Sequence, residues 1–277
     1  VVKMRRNLRP LGLVVLATIV ALIVDFPLIW MVISSFKTYE EIFRIPIVYI
    51  PSKITLRHYA KALRVGIFSA FMNSIILAVL TSFLTIAIAL LPSYSFSRFH
   101  FKGKYGMLIS LLITQAFPQI VFVIPMLLTL KRLGLINTLP GVALSYLPFT
   151  TPVVIWILVN FFNAIPKDLE EAALVDGCGR LKAFFTIVLP LAAPSIAAAG
   201  VYSFVVAWSE LMFQLTFLTT PNRMTLSVFL TSFMAQYQTR WGPLFAGCVI
   251  TSIPPIIFFL ILQKYFVKGL TAGAIKG

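Results

Sequence analysis

Groups able to do chemistry are scarce in this sequence, and their placement limits what they can do. Eight carboxylates and two histidines serve 277 residues. His58 and His100 lie far from each other, and neither belongs to a His, Cys or carboxylate cluster with metal-ligand spacing, so no metal centre is expected. No nucleophile is paired with a base, and no Gly-x-x-x-x-Gly-Lys-Ser/Thr loop is present to cradle a nucleotide phosphate, so neither catalysis nor ATP binding is expected of this chain. Cys178 and Cys248 have no partner pattern and read as free thiols. Two carboxylates, Asp25 and Glu210, are embedded in long apolar runs, where a charge is costly unless paired or wet. With Trp208 and Gln214 they are the candidate lining of a solute path, Glu210 having packing against another helix as its plainer alternative.

The positioning elements follow from composition. Apolar residues make up 60% of the chain and charged ones 11%, against roughly 45–50% and about 25% in soluble domains, so lipid is the expected solvent. Windows of about 20 apolar residues suit a bilayer crossing, and six are present at 11–33, 71–91, 105–130, 141–162, 191–213 and 244–262. They form one membrane domain, 1–277. The basic start resembles a signal peptide, but the apolar run continues to Ile33 without a small-residue cleavage site, so it is expected to stay as the first span. The net charge of +15 collects between the windows and not on a soluble basic face, which argues against a nucleic-acid partner. With both termini cytoplasmic, Lys and Arg number 13 inside and 10 outside, a weak bias strengthened by Lys3, Arg5, Arg6 and Arg9 beside the first span.

Prolines inside or near the windows, among them Pro118, Pro148, Pro152 and Pro194, favour kinks that either a wet path or ordinary helix packing can use. Ser195, Ala199 and Ser203 fall four residues apart and give the fifth window a slim face for close helix approach. Between the fifth and sixth windows Phe229, Phe233, Tyr237 and Trp241 recur every fourth residue. If 225–238 is helical they form one stripe, either an aromatic anchor at the membrane interface or packing against the bundle, or a face toward a partner, with Thr231, Gln236, Gln238 and Arg240 on its polar edge.

The loop 163–190 is the most specific stretch. Pro166 suits a first helical position, Asp168, Glu170 and Glu171 complement the helix dipole, and Gly177 permits a left-handed stop. A short surface helix of about ten residues is expected, then a turn and a second helix from Arg180 into the fifth window. Glu171-Ala172-Ala173, with Gly177 and then Ile187-Val-Leu189-Pro190, resembles the cytoplasmic loop motif of ABC importer permeases. Ser95 to Gly103, Ala207-Trp-Ser-Glu210 and the Gly-rich end 269–277 are similar to the maltose-type sugar branch, although Ser209 stands where Asn is commoner.

This resemblance implies an all-α, six-span type I ABC importer permease in a bacterial or archaeal cytoplasmic membrane. It further implies two ATP-binding subunits that bind ATP and Mg, a second homologous permease, and an extracytoplasmic solute-binding protein. It makes Glu170, Glu171, Ala172, Ala173, Asp176, Gly177, Ile187, Leu189 and Pro190 candidates for coupling to the ATPase, and Gln236, Gln238 and Arg240 for docking the binding protein. Within the family the alternative cargoes are glycerol phosphodiesters, polyamines or metal complexes. Outside it, an ion-coupled secondary transporter would need midplane carboxylates, and a membrane receptor or scaffold would not predict the loop.

Overall fold

In lipid no water satisfies the backbone amides, so apolar windows become helices that satisfy them internally. The computed structural model describes residues 2–234 and 239–274, with side chains described for 12–234 and 239–261. In chain order the helices are α1 (Val2–Ser35), α2 (Tyr39–Ile42), α3 (Arg57–Val65), α4 (Ile67–Arg98), α5 (Lys104–Ile113), α6 (Val123–Arg132), α7 (Leu139–Ala164), α8 (Asp168–Val175), α9 (Arg180–Ala183), α10 (Leu189–Leu191), α11 (Ala193–Ser209), α12 (Met212–Phe217), α13 (Leu226–Thr231) and α14 (Trp241–Ala274). Among the described residues the extended structure is an isolated bridge between Met234 and Thr239, so the chain is all-α.

Among the described residues four stretches are long and apolar enough to cross a membrane singly: Gly12–Ser35, Ile67–Arg98, Leu139–Ala164 and Trp241–Ile261. Two bent pairs, Lys104–Ala116 with Gln119–Arg132 (92°) and Arg180–Leu191 with Ala193–Ser209 (76°), raise the number to six if each pair is one crossing. The bends have local causes. Pro118 lacks an N–H and pushes the preceding residue out of the helical region, and Phe117 is accordingly extended at φ −81°, ψ 132°. In the second pair a π-helical turn, Phe184–Val188, leads into α10, and Pro190 and Pro194 bracket Ala192, where one helix stops and the next begins.

The chain divides into two compact units, Val1–Ile67 with Leu230–Ile253, and Phe68–Phe229 with Pro254–Gly277. In the larger unit α11 packs along α7, burying Ser195, Ala199 and Ser203 as the small-residue spacing predicts. Hydroxyls stitch α4 to α7: Thr85 Oγ1 lies 2.7 Å from Thr150 Oγ1, Ser93 donates to the Ile155 carbonyl at 3.4 Å and Ser97 to Asn163 Oδ1 at 2.8 Å. Such bonds link helices in a solvent where apolar burial alone does not.

The smaller unit is organised around Lys37. Its side chain is buried, and its ammonium lies 3.8 Å from the Trp30 ring centroid, a cation–π contact. Burial lowers the Lys37 pKa, and the charge of Glu41 opposes that shift. Glu41 forms a capping box with Thr38 and accepts from the Ser52 hydroxyl and amide, bonds that hold its carboxyl below the usual range. A nitrogen of the His58 ring, Nε2, is 2.9 Å from the Lys37 carbonyl, and the ring lies where a Cβ on Gly242 would fall well inside contact distance. Gly242→Ala is therefore expected to lower stability by about 1–3 kcal/mol, because the ring must leave its bond to make room. Thermal unfolding in detergent checks this, and in a His58→Ala background the same change should cost little.

Candidate functional site

The loop 163–190 folds around one short helix. Pro166 lies two residues ahead of α8 and not at its first position, and the Lys167 carbonyl accepts from the amides of Glu170 (2.9 Å) and Glu171 (3.0 Å). The helix is eight residues long and closes as a Schellman motif, with the Cys178 amide donating to Ala173 O (2.9 Å) and the Gly177 amide to Leu174 O (3.1 Å). This closure requires a left-handed residue, and Gly177 has φ +81°. Glu171, Ala172, Asp176 and Gly177 are exposed, Ala173 is half-buried, and Val175 is 88% exposed at the end of the helix. Ile187 and Leu189 are half-buried and Pro190 exposed along the segment that leads to the bend.

Glu170 points the other way. It is buried, and its carboxylate accepts from Tyr94 Oη at 2.7 Å and from Arg98 Nε at 2.5 Å. Arg98 also reaches the end of α7: Nη1 donates to Phe162 O at 2.7 Å, and to Ser97 Oγ at 3.2 Å, and Nη2 to Ile165 O at 3.2 Å. A helix end leaves its last carbonyls without intrahelical donors, and a guanidinium fork can supply them. Tyr94 also packs on Phe184 with ring centroids 4.6 Å apart, and Arg180 lies over Phe99 at 5.3 Å.

Glu210 marks a second constellation. The fifth window does not continue as helix to 213: α11 stops at Ser209 and Glu210 is extended at ψ 137°. The break is satisfied from both sides. Gln214 Nε2 donates to Ala207 O at 2.8 Å and the Ser227 hydroxyl to Trp208 O at 3.1 Å, occupying carbonyls that the helix end leaves free. The Glu210 carboxylate accepts the Phe213 amide at 3.0 Å, the Gln214 amide at 3.4 Å and the Tyr146 hydroxyl at 2.7 Å. Thr225 donates to Gln214 Oε1, and Asn73 on α4 donates to the carbonyls of Asn222 (3.0 Å) and Met224 (2.9 Å). Trp208 and Gln214 are thus buried inside the unit, Glu210 is half-exposed, and Ser209 and Leu211 beside it are exposed.

The remaining candidates lie in the other unit. Asp25 is exposed on α1. Arg240 is exposed just ahead of α14, its amide donating to Phe233 O at 2.8 Å, while Gln236 and Gln238 lie outside the described residues. Among the described residues the helix expected over 225–238 is not continuous: α13 ends at Thr231, and Met234 forms an isolated bridge with Thr239. A four-residue period exists only on a continuous helix, so Phe229, inside α13, and Trp241, opening α14, share no helical face; Tyr237 is outside the described residues.

Residues 65–272 match the family described as binding-protein-dependent transport system inner membrane component. The chain belongs to this family. It is 38% identical over 274 residues to the trehalose/maltose transport system permease protein of Thermococcus litoralis, covering 98% of both chains. It is 35% identical to a diacetylchitobiose uptake system permease protein of Streptomyces coelicolor, covering 91% of this chain and 92% of that one. In fold it resembles a chain from the crystal structure of a bacterial ABC transporter involved in import of the acidic polysaccharide alginate, with TM-score 0.80, 22% identity, and 94% and 98% of the two chains covered. The architecture is the type I permease fold, and the protein is a multi-pass membrane component of a transport system.

Within this permease, Tyr94, Arg98, Tyr146 and Thr225 were not legible as site residues. In sequence Arg98 falls within the stretch Ser95 to Gly103, and nothing local connects it to a carboxylate 72 positions later. Tyr146 lies within an apolar window, where an aromatic ring reads as packing.

Proposed function

We propose that this chain is one of two permease subunits of an ATP-driven importer of a sugar or oligosaccharide. It works as a single membrane domain in a cytoplasmic membrane, with both termini inside. The loop 163–190 docks on an ATP-binding subunit, which holds ATP and Mg; two such subunits, a second homologous permease and an extracytoplasmic solute-binding protein complete the assembly. Closure of the ATP-binding subunits moves α8, and the spans rock between inward-open and outward-open. The observation that carries this reading is α8 itself: a short helix between two apolar windows, closed by a left-handed Gly177, presenting Glu171 and Ala172 outward while Glu170 is tied inward.

Carbohydrate as cargo is supported by the relatives, which are named for trehalose/maltose and diacetylchitobiose, and by the alginate importer of similar fold. Glu210, with Trp208 and Gln214 packed behind it, shapes the broken part of the fifth span beside the path, Asp25 belongs to the first span, and Gln236, Gln238 and Arg240 serve the outer docking surface. The carboxylate of Glu210 is already engaged by Tyr146 and two amides, which suits a structural corner better than a carboxylate that must take up and release a coupling ion. The test is ATP hydrolysis by the purified complex against a panel of loaded binding proteins. Sugar-loaded proteins are expected to raise hydrolysis severalfold. Stimulation only by a polyamine- or glycerol-phosphodiester-loaded protein would contradict the choice of cargo.

A further inference from the structure

Three elements meet at one guanidinium. Arg98 is the last residue of α4; its fork reaches the carbonyl end of α7 at Phe162 and Ile165, and its Nε reaches Glu170 on α8. The Arg98 and Glu170 side chains are 6% and 9% exposed, so the ion pair is shielded from water and salt. The free oxygen of Glu170 is taken by Tyr94, one turn earlier on α4, so both carboxylate oxygens and three guanidinium nitrogens are used. Tyr94 and Phe184 stack behind the pair, and Arg180 over Phe99 fastens the segment after α8 to the loop after α4. Helix α8 is therefore tied through Glu170 to the end of α4, and through Arg98 to the end of α7, beyond its peptide links to α7 and α9.

Resting on the proposed function, we propose that Arg98 is the positioning residue that passes movement of α8 to α4 and α7, with Glu170 as its receiver, leaving Glu171 to face the ATP-binding subunit. A short helix joined only by flexible linkers can follow the ATPase without moving the membrane helices. With a buried ion pair that also ties into α7 it cannot, because displacement of α8 leaves a buried charge without its partner. A lysine at position 98 keeps the charge but has no fork, so it can hold Glu170 or the α7 carbonyls, not both.

The experiment compares wild type, Arg98→Ala, Arg98→Lys and Glu170→Gln in complexes reconstituted in liposomes, reading sugar taken up per ATP hydrolysed. A spin label at Val175→Cys, in a Cys178→Ser, Cys248→Ser background, reports the mobility of α8. The proposal expects uptake per ATP to fall about two- to thirty-fold in Arg98→Ala, with smaller falls in Arg98→Lys and Glu170→Gln. It also expects the label to become more mobile in the same order. Should Arg98→Ala fail to assemble, the charge-keeping Arg98→Lys decides by the same ratio. Unchanged uptake per ATP in assembled variants, or a fall without any change in label mobility, overturns the role of Arg98. A wild-type complex whose hydrolysis ignores loaded binding protein faults the importer reading instead.

Discussion

Gly177→Val is expected to abolish solute uptake while leaving the protein inserted in the membrane. Gly177 holds φ +81° to close α8, a region where a β-branched residue is a genuine outlier, costing about 1–3 kcal/mol. No atom lies within 4 Å of where its Cβ would be, so the effect comes from the backbone and not from a clash. The strain is relieved by unwinding the Schellman closure, which moves the exposed face Glu171, Ala172 and Asp176 that is to dock on the ATPase. Gly177→Asn, which tolerates the left-handed region, should retain much of the uptake. Transport assays beside surface expression decide it. Normal uptake by Gly177→Val would remove α8 closure from the mechanism.

The second large effect is expected at Glu210. Glu210→Ala strips the acceptor from Tyr146, a buried hydroxyl, and from the first amides of α12, and should cost about 1–3 kcal/mol for the orphaned hydroxyl alone. Uptake and the yield of assembled complex should fall together, because the corner between α11 and α12 is what fails. Tyr146→Phe removes donor without leaving a buried orphan on the tyrosine side, and so should cost less. In the double variant the losses should be clearly less than additive, as for any pair in direct contact. Thermal unfolding of the four proteins measures the coupling; full additivity would show that the 2.7 Å bond contributes nothing.

Helix α8 and its left-handed stop were legible because each rests on a residue acting on its neighbours: acids in the first turn and Gly177 at the stop. The buried face of α11 was legible for the same reason, as Ser195, Ala199 and Ser203 carry the helical period themselves. What single-sequence reasoning could not supply was any bond between elements. Glu170 and Glu171 are adjacent and identical in type, yet one is clasped by Arg98 and the other exposed, a difference set wholly by the direction α8 takes from α7. The aromatic stripe failed differently. Its four-residue spacing is real, but the helix needed to align it ends at Thr231.

Docking of α8 on an ATP-binding subunit is the central claim, and Val175 is the place to measure it, being 88% exposed at the end of that helix. A photo-crosslinking residue at position 175, illuminated in the assembled complex in membranes, should give an adduct with the ATP-binding subunit in high yield. The same probe at Leu13, exposed on α1, should give none. A complex that hydrolyses ATP normally and yields no adduct from position 175 would contradict the account.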